Sequence, residues 1–255
     1  MPTKPATDLH HRRPREFRLR LLAWGRVNFR SFPWRTTFDP FAVLIAEVML
    51  QRTQAPQAER IFQEFVGRYP NALAVVNANS PAVEAKLAGL GLRHRGRRII
   101  ELCGALVAQY GGNVPEDPAA LRALPGVGPY TAGAVRCFGF GVDSAIVDRN
   151  IVRVLTRVFG YAPTAARWHN DRGMWALAES LVPPEQAAPF NFALLDFAAA
   201  VCTKRPRHDL CPMRDICCYY ERQKGDHAAP EAVRDRPDGC VGAAANEGGE
   251  SFRKR

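Results

Sequence analysis

No stretch of the 255 residues approaches the run of about 20 apolar side chains needed to cross a bilayer, so no membrane-spanning helix is expected. The basic opening, MPTKPATDLHHRRPREF, lacks an apolar core of the signal-peptide kind behind it, and an intracellular protein is expected. Acidic residues are scarce: 25 Asp and Glu stand against 35 Lys and Arg, a net charge of +10. That excess favours a polyanionic partner, although charge alone does not name one. Cysteines are few, seven in all, yet four fall between Cys202 and Cys218. In this context such crowding suits a metal or cluster site better than a disulfide framework. With 47% apolar residues the chain can still bury a core in one large domain or two small ones.

The periodic segments read as helices. Residues 16–29 (EFRLRLLAWGRVNF) make an amphipathic helix, after a basic stretch, 1–15, expected to be disordered. FPWRTTFDPF (32–41) is a loop leading into an almost wholly apolar helix, FAVLIAEVMLQRT (41–53), interrupted by one carboxylate, Glu47. A charge in such company is rarely buried without a partner, so Glu47 either ends in an open pocket or pairs with a basic group. Three helices are expected between 55 and 110, with turns near Pro70 and at 89–91. Within them GLGLRHRGRRI (89–99) carries five basic side chains, counting His94, which serve as a solvated face or as phosphate contacts. Cys103 and Cys137 lie on apolar helical faces and read as core. The tail, 221–255, is rich in Gly, Ala, Pro and charge and is expected to be disordered; Cys240 stands there without an assigned role.

The centre of the chain is DPAALRALPGVGPYTAGAVRCFGFGVDSAIVDRN (117–150). It reads as a helix, a tight glycine turn, a second helix, a short loop and the start of a third helix. Pro125, Gly126 and Gly128 break the first helix and Pro129 opens the second. A turn of this kind presents backbone N–H groups at a helix N-terminus, a ready phosphate site. Asp148, directly before a helical run to Phe159, suits an N-cap, and Tyr130 suits a half-buried helix position.

LPGVGPYTAGA (124–134) followed by IVDRNIVRV (146–154) resembles the helix-hairpin-helix, Gly/Pro loop and Asp signature of the endonuclease III superfamily of DNA glycosylases. The resemblance covers about 32–220. It implies an all-α fold of two helical subdomains with a helix-hairpin-helix and a C-terminal iron-sulfur cluster loop. Residues 32–142 would form a six-helix barrel subdomain with the hairpin, and 16–31 with 143–220 the cluster-loop subdomain. Asp148 falls on the superfamily's catalytic aspartate, a role compatible with capping. Tyr130 falls where bifunctional members carry a nucleophilic lysine. EVMLQRTQ resembles EVMLQQTQ of adenine DNA glycosylases, where the glutamate matching Glu47 acts in acid-base catalysis, and also the equivalent helix of archaeal thymine mismatch enzymes. Gln51 and Arg52, which could equally be a solvated helix terminus, stand where members insert a polar side chain into the gap left by an extruded base. Gly126, Val127, Gly128 and Thr131 would contact the DNA backbone.

The superfamily often holds a 4Fe-4S cluster on C-x6-C-x2-C-x5-C. Here CTKRPRHDLCPMRDICC supplies Cys202, Cys211 and Cys217, with Cys211 and Cys217 matching the last interval. The second ligand position falls on His208, and the first interval is one residue short. Three arrangements remain open: His208 as a ligand, Cys218 substituting through a rearranged loop, or a degenerate site without a cluster. Imidazole ligation has precedent in Rieske centres, and zinc on three Cys and one His is a further possibility.

The implied activity is removal of a mispaired base from double-stranded DNA by a monomeric monofunctional glycosylase, because a phenol at 130 cannot form a Schiff base. Tyr130, where adenine glycosylases commonly have serine, and the CYY ending of the loop resemble the archaeal thymine enzymes. Adenine glycosylases usually add a C-terminal domain, whereas only the low-complexity tail follows the loop here. Thymine or uracil opposite guanine is therefore the expected substrate. Adenine opposite guanine or 8-oxoguanine is the alternative, and a non-catalytic helix-hairpin-helix DNA-binding protein the second.

Overall fold

The computed structural model describes residues 6–51, 53–88, 93–165 and 168–228, and among them there are helices and no strand. Twelve α-helices are described: α1 Ala6–Asn28, α2 Pro40–Leu50, α3 Ala55–Arg68, α4 Ala72–Val76, α5 Ser80–Leu87, α6 Arg93–Tyr110, α7 Pro118–Ala123, α8 Pro129–Ala134, α9 Arg149–Phe159, α10 Arg172–Leu181, α11 Ala187–Ala200 and α12 Cys218–Ala228.

Side-chain caps fix several helix starts. Asp39, Asn71, Asp117, Asp148 and Asp171 each accept a hydrogen bond from a backbone N–H of the first turn of α2, α4, α7, α9 and α10. Pro40, Pro118 and Pro129 stand in first turns, where a missing N–H costs nothing.

Two apolar helices anchor the core. α2 is buried from Phe41 to Met49 and packs on α3, α6, α8 and the turn after α8. α11 packs along α1 and against α9. The α1–α11 contact is close: a Cβ on Gly25 would lie 2.5 Å from Cβ of Ala193, so only glycine lets the helices meet there. Phe17 meets Phe159 and Phe190 edge-on at 5.3 and 6.3 Å, and Trp24 meets Phe197 at 5.6 Å. Burying a side chain such as Phe17 or Leu21 stabilises the fold by about 1.5–3 kcal/mol.

The structure corrects three expectations. α1 begins at Ala6, within the segment expected to be disordered, and α12 continues to Ala228, past the expected start of the tail at 221. The two extensions meet: Arg13 donates to Cys218 Sγ at 2.6 Å and to Glu221 Oε2 at 3.1 Å. The region 55–110 holds four helices rather than three, because Asn71 caps the additional short helix α4. Cys240 and the remainder of the tail lie outside the described residues.

α8 does not run straight on to Phe138. It widens into a π-type turn, Val135–Gly139, in which Phe140 N–H donates to Val135 O at 3.2 Å. Turns of this kind are frequent at functional sites.

Candidate active site

Glu47 is the lone carboxylate of α2 and is buried there. Burial pushes its pKa up to about 7, against the opposing effects of the nearby Tyr130 hydroxyl and of Arg35. Asp148 adds to the upward shift by like-charge repulsion. Tyr130, the second residue of α8, is held well above the usual phenol range by burial and then by Glu47 and Asp148. It therefore stands as a neutral hydroxyl donor.

Asp148 occupies the N-cap of α9. Its Oδ1 accepts from Ile151 N–H at 2.7 Å and its Oδ2 accepts from Asn150 Nδ2 at 2.8 Å. Capping and proximity to the other two groups coexist, since the Asp148 charge is felt by both Glu47 and Tyr130.

A cleft of about 190 Å³ brings Glu47 and Tyr130 together with Arg35, Trp34, Phe138 and Asn150. Aromatic rings form its walls: Phe138 stacks on Phe192 at 4.1 Å, and Phe32 on Trp34 at 4.9 Å. The widened turn after α8 places Phe138 in this stack. Flat apolar walls around a few convergent polar groups suit a planar ligand. A larger groove, about 640 Å³, lies between α7, α8 and α10 on the other face of α8. Its lining offers Arg122, Arg136, Arg172 and Glu179 but not the carboxylate–phenol pair of the smaller cleft.

Two residues of the cleft's support were not singled out from the sequence. Arg35, with a side chain only 4% exposed, makes a two-pronged pair with Asp196 of α11, at 2.7 and 3.0 Å. Arg30 adds a backbone and a side-chain contact to the same carboxylate, at 3.1 and 2.6 Å. Burial pushes Asp196 up, but Arg35 and Arg30 outweigh it and hold the carboxyl below its ordinary range. Arg35 also lies over the Phe192 ring at 4.7 Å. The signal was present: Asp196 in ALLDFAAA is a carboxylate in an apolar helix, the pattern that marked Glu47.

At the end of α2, Gln51 reaches the hairpin turn. Its Nε2 donates to Gly126 O at 3.1 Å, and Arg98 Nη1 donates to its Oε1 at 3.2 Å. Gly126 has φ +78°, and a Cβ there would fall 2.5 Å from Arg98 Cδ, so this turn requires glycine. Gly128 is the N-cap of α8. Val127 and Thr131 are buried, so their side chains face the core and only their backbone borders the turn. Arg52 and residues 89–92 of the basic run lie outside the described residues.

In the cysteine loop, Cys202, His208, Cys211 and Cys217 line one small cavity beneath α9 and α11. Cys218 accepts from Arg13 and is not part of that lining. Among the described residues no three His, Cys, Asp or Glu side chains converge closely enough to hold a single metal ion. Cys103 and Cys137 are buried in the core, as expected.

Comparison with known proteins gives the family. Residues 45–179 match the model of the HhH-GPD superfamily of base excision DNA repair proteins. The chain is 41% identical over 208 residues to the thymine-DNA glycosylase of Aeropyrum pernix, covering 80% of this chain and 93% of that protein. It is 35% identical to the adenine DNA glycosylase of Mus musculus, covering 87% of this chain but 45% of that protein. A solved structure of a thermostable thymine-DNA glycosylase superimposes with a TM-score of 0.79 at 35% identity, over 84% of this chain and 99% of that one. The chain belongs to the HhH-GPD superfamily of base excision DNA repair proteins.

Proposed function

We propose that this protein is a monofunctional DNA glycosylase that removes thymine or uracil mispaired with guanine from double-stranded DNA, working as a monomer inside the cell. The observation that carries the reading is the buried pair Glu47 and Tyr130 in one aromatic-walled cleft, with the Asp148 charge acting on both. The match along 93% of the Aeropyrum pernix thymine-DNA glycosylase supports the choice of base.

A base inside a duplex cannot meet such a cleft, so it is extruded first and lies between the aromatic walls. The turn at Gly126 and Gly128 grips the backbone, and Gln51, together with Arg52, fills the gap left in the stack. Breaking the N-glycosidic bond leaves its electron pair on the base and positive charge on the sugar. Asp148 stabilises that charge and accepts a proton from the water that adds to the sugar carbon. Glu47, with a pKa of about 7, retains enough proton at neutral pH to give one to the departing base. Tyr130 shares the cleft with Glu47 and offers no amine, so the product is an intact strand with an abasic site.

The loop fits an iron-sulfur cluster: Cys202, Cys211 and Cys217 line one cavity, and His208 Nε2 is a buried atom without a hydrogen-bond partner. These residues would hold a 4Fe-4S cluster, which would supply a rigid clasp between α9, α11 and α12. Arg157 already braces this loop, donating to the carbonyls of Thr203 at 2.5 Å and Lys204 at 3.0 Å.

Adenine remains the second reading, because a protonated Glu47 also suits a leaving purine. The test is base release from duplexes containing G:T, G:U, A:G and A:8-oxoguanine, each with and without alkali. Release from G:T and G:U supports the proposal; release from the adenine mispairs alone replaces it with the second reading. DNA binding with no release from any duplex would leave a non-catalytic binding protein.

A further inference from the structure

The sequence leaves open what completes the three cysteines of the loop, and the structure carries an answer. His208 opens a short 3-10 turn, His208–Leu210, between Cys202 and Cys211. Its ring lies against Tyr220 at 4.8 Å and 38° and near-parallel to Tyr219 at 6.2 Å and 15°. Two flanking rings leave the imidazole little freedom to turn. Its Nε2 is shut off from solvent and has no hydrogen-bond partner among the described residues. A buried polar atom left unsatisfied costs about 1–3 kcal/mol, and native proteins rarely carry one without a use. The same ring borders the cavity of Cys202, Cys211 and Cys217.

Cys218, the rival fourth donor, is engaged elsewhere. Its sulfur accepts from Arg13 at 2.6 Å and packs toward Gly160, outside the cavity lining. A cation also reaches the cavity: Arg157 lies over the Tyr219 ring at 4.9 Å and donates to Cys202 Sγ at 3.5 Å.

We infer that His208, through Nε2, is the fourth ligand of the cluster, which is therefore bound by three thiolates and one imidazole with the Arg157 guanidinium beside it. The inference rests on the reading of this loop as a cluster site. A neutral imidazole in place of a thiolate removes one negative charge from the centre. Arg157 adds a positive neighbour and a hydrogen bond to a ligand sulfur. Both favour the reduced cluster, so the reduction potential lies above that of an all-cysteine version of the same site.

The test is pulsed electron paramagnetic resonance of the paramagnetic cluster in wild-type protein grown with 15N-histidine, together with midpoint potentials of wild type, His208→Cys and Cys218→Ser. The expected result is a directly coupled histidine nitrogen in wild type that disappears in His208→Cys. The potential should fall in His208→Cys and stay unchanged in Cys218→Ser. Absence of a coupled nitrogen from an intact wild-type cluster overturns the inference while leaving the cluster itself in place. So does loss of the cluster in Cys218→Ser with retention in His208→Ala. Protein that binds no iron and sulfide, or binds zinc instead, overturns the cluster reading and this inference together.

Discussion

The Tyr130 hydroxyl, on the second residue of α8, and the Glu47 carboxyl, the lone carboxylate of α2, meet in one cleft, and each shifts the titration of the other. The hydroxyl favours ionised Glu47, whereas burial favours the protonated form, and burial wins. The acid in the cleft is thus tuned from two sides. If protonated Glu47 assists the leaving base, the single-turnover rate falls as pH rises through about 7. Tyr130→Phe removes the hydroxyl and should move that descending limb to higher pH. A rate profile from pH 5.5 to 9 on a G:T duplex checks this, and an unmoved limb would detach Tyr130 from the tuning.

Glu47 also carries a stability cost. Its folded pKa, about 7, exceeds the ordinary 4.5, so the folded state binds more protons than the unfolded one between those values. Stability from this group is complete below about pH 4.5 and is lost as pH rises towards 7. Glu47→Gln removes the cost and should stabilise the protein at pH 7.5 by about 1–3 kcal/mol while slowing base release. Chemical denaturation at pH 4.5 and 7.5 reads the difference, which should shrink at the lower pH.

Asp196 should be far less replaceable than its distance from the hairpin suggests. Asp196→Ala leaves the Arg35 guanidinium buried without its two-pronged partner. Removing one member of a buried ion pair costs about 3–5 kcal/mol. A thermal melt should show a large drop; a loss under about 1 kcal/mol would mean that Arg35 finds another acceptor or water.

Tyr130→Lys places an amine in the cleft. It should introduce some strand cleavage and a borohydride-trappable complex, neither of which wild type should show. Trapping of the wild-type protein would identify another amine as nucleophile and end the monofunctional assignment.

What was legible in the sequence was local. Glu47 stood out as a charge in an apolar helix, Asp148 as a carboxylate before one, and the hairpin by its glycines and prolines. The Arg35–Asp196 pair joins positions 161 apart, and Arg13–Cys218 positions 205 apart, so no window of sequence contains either. The second of these contacts bears on both helix extensions, α1 to Ala6 and α12 to Ala228. The resemblance implied DNA contact for Val127 and Thr131; both side chains are buried, Val127 in the turn and Thr131 on α8, a burial that no local pattern in the sequence announces.

The most direct measurement is single-turnover base release from a G:T duplex by wild type and Asp148→Asn, paired with duplex binding by both. Asparagine can still cap α9, so the variant should fold and bind DNA as wild type does. The account predicts alkali-dependent cleavage at the thymine with wild type, and a rate lower by at least about 100-fold with the variant. Equal rates in the two proteins would contradict it.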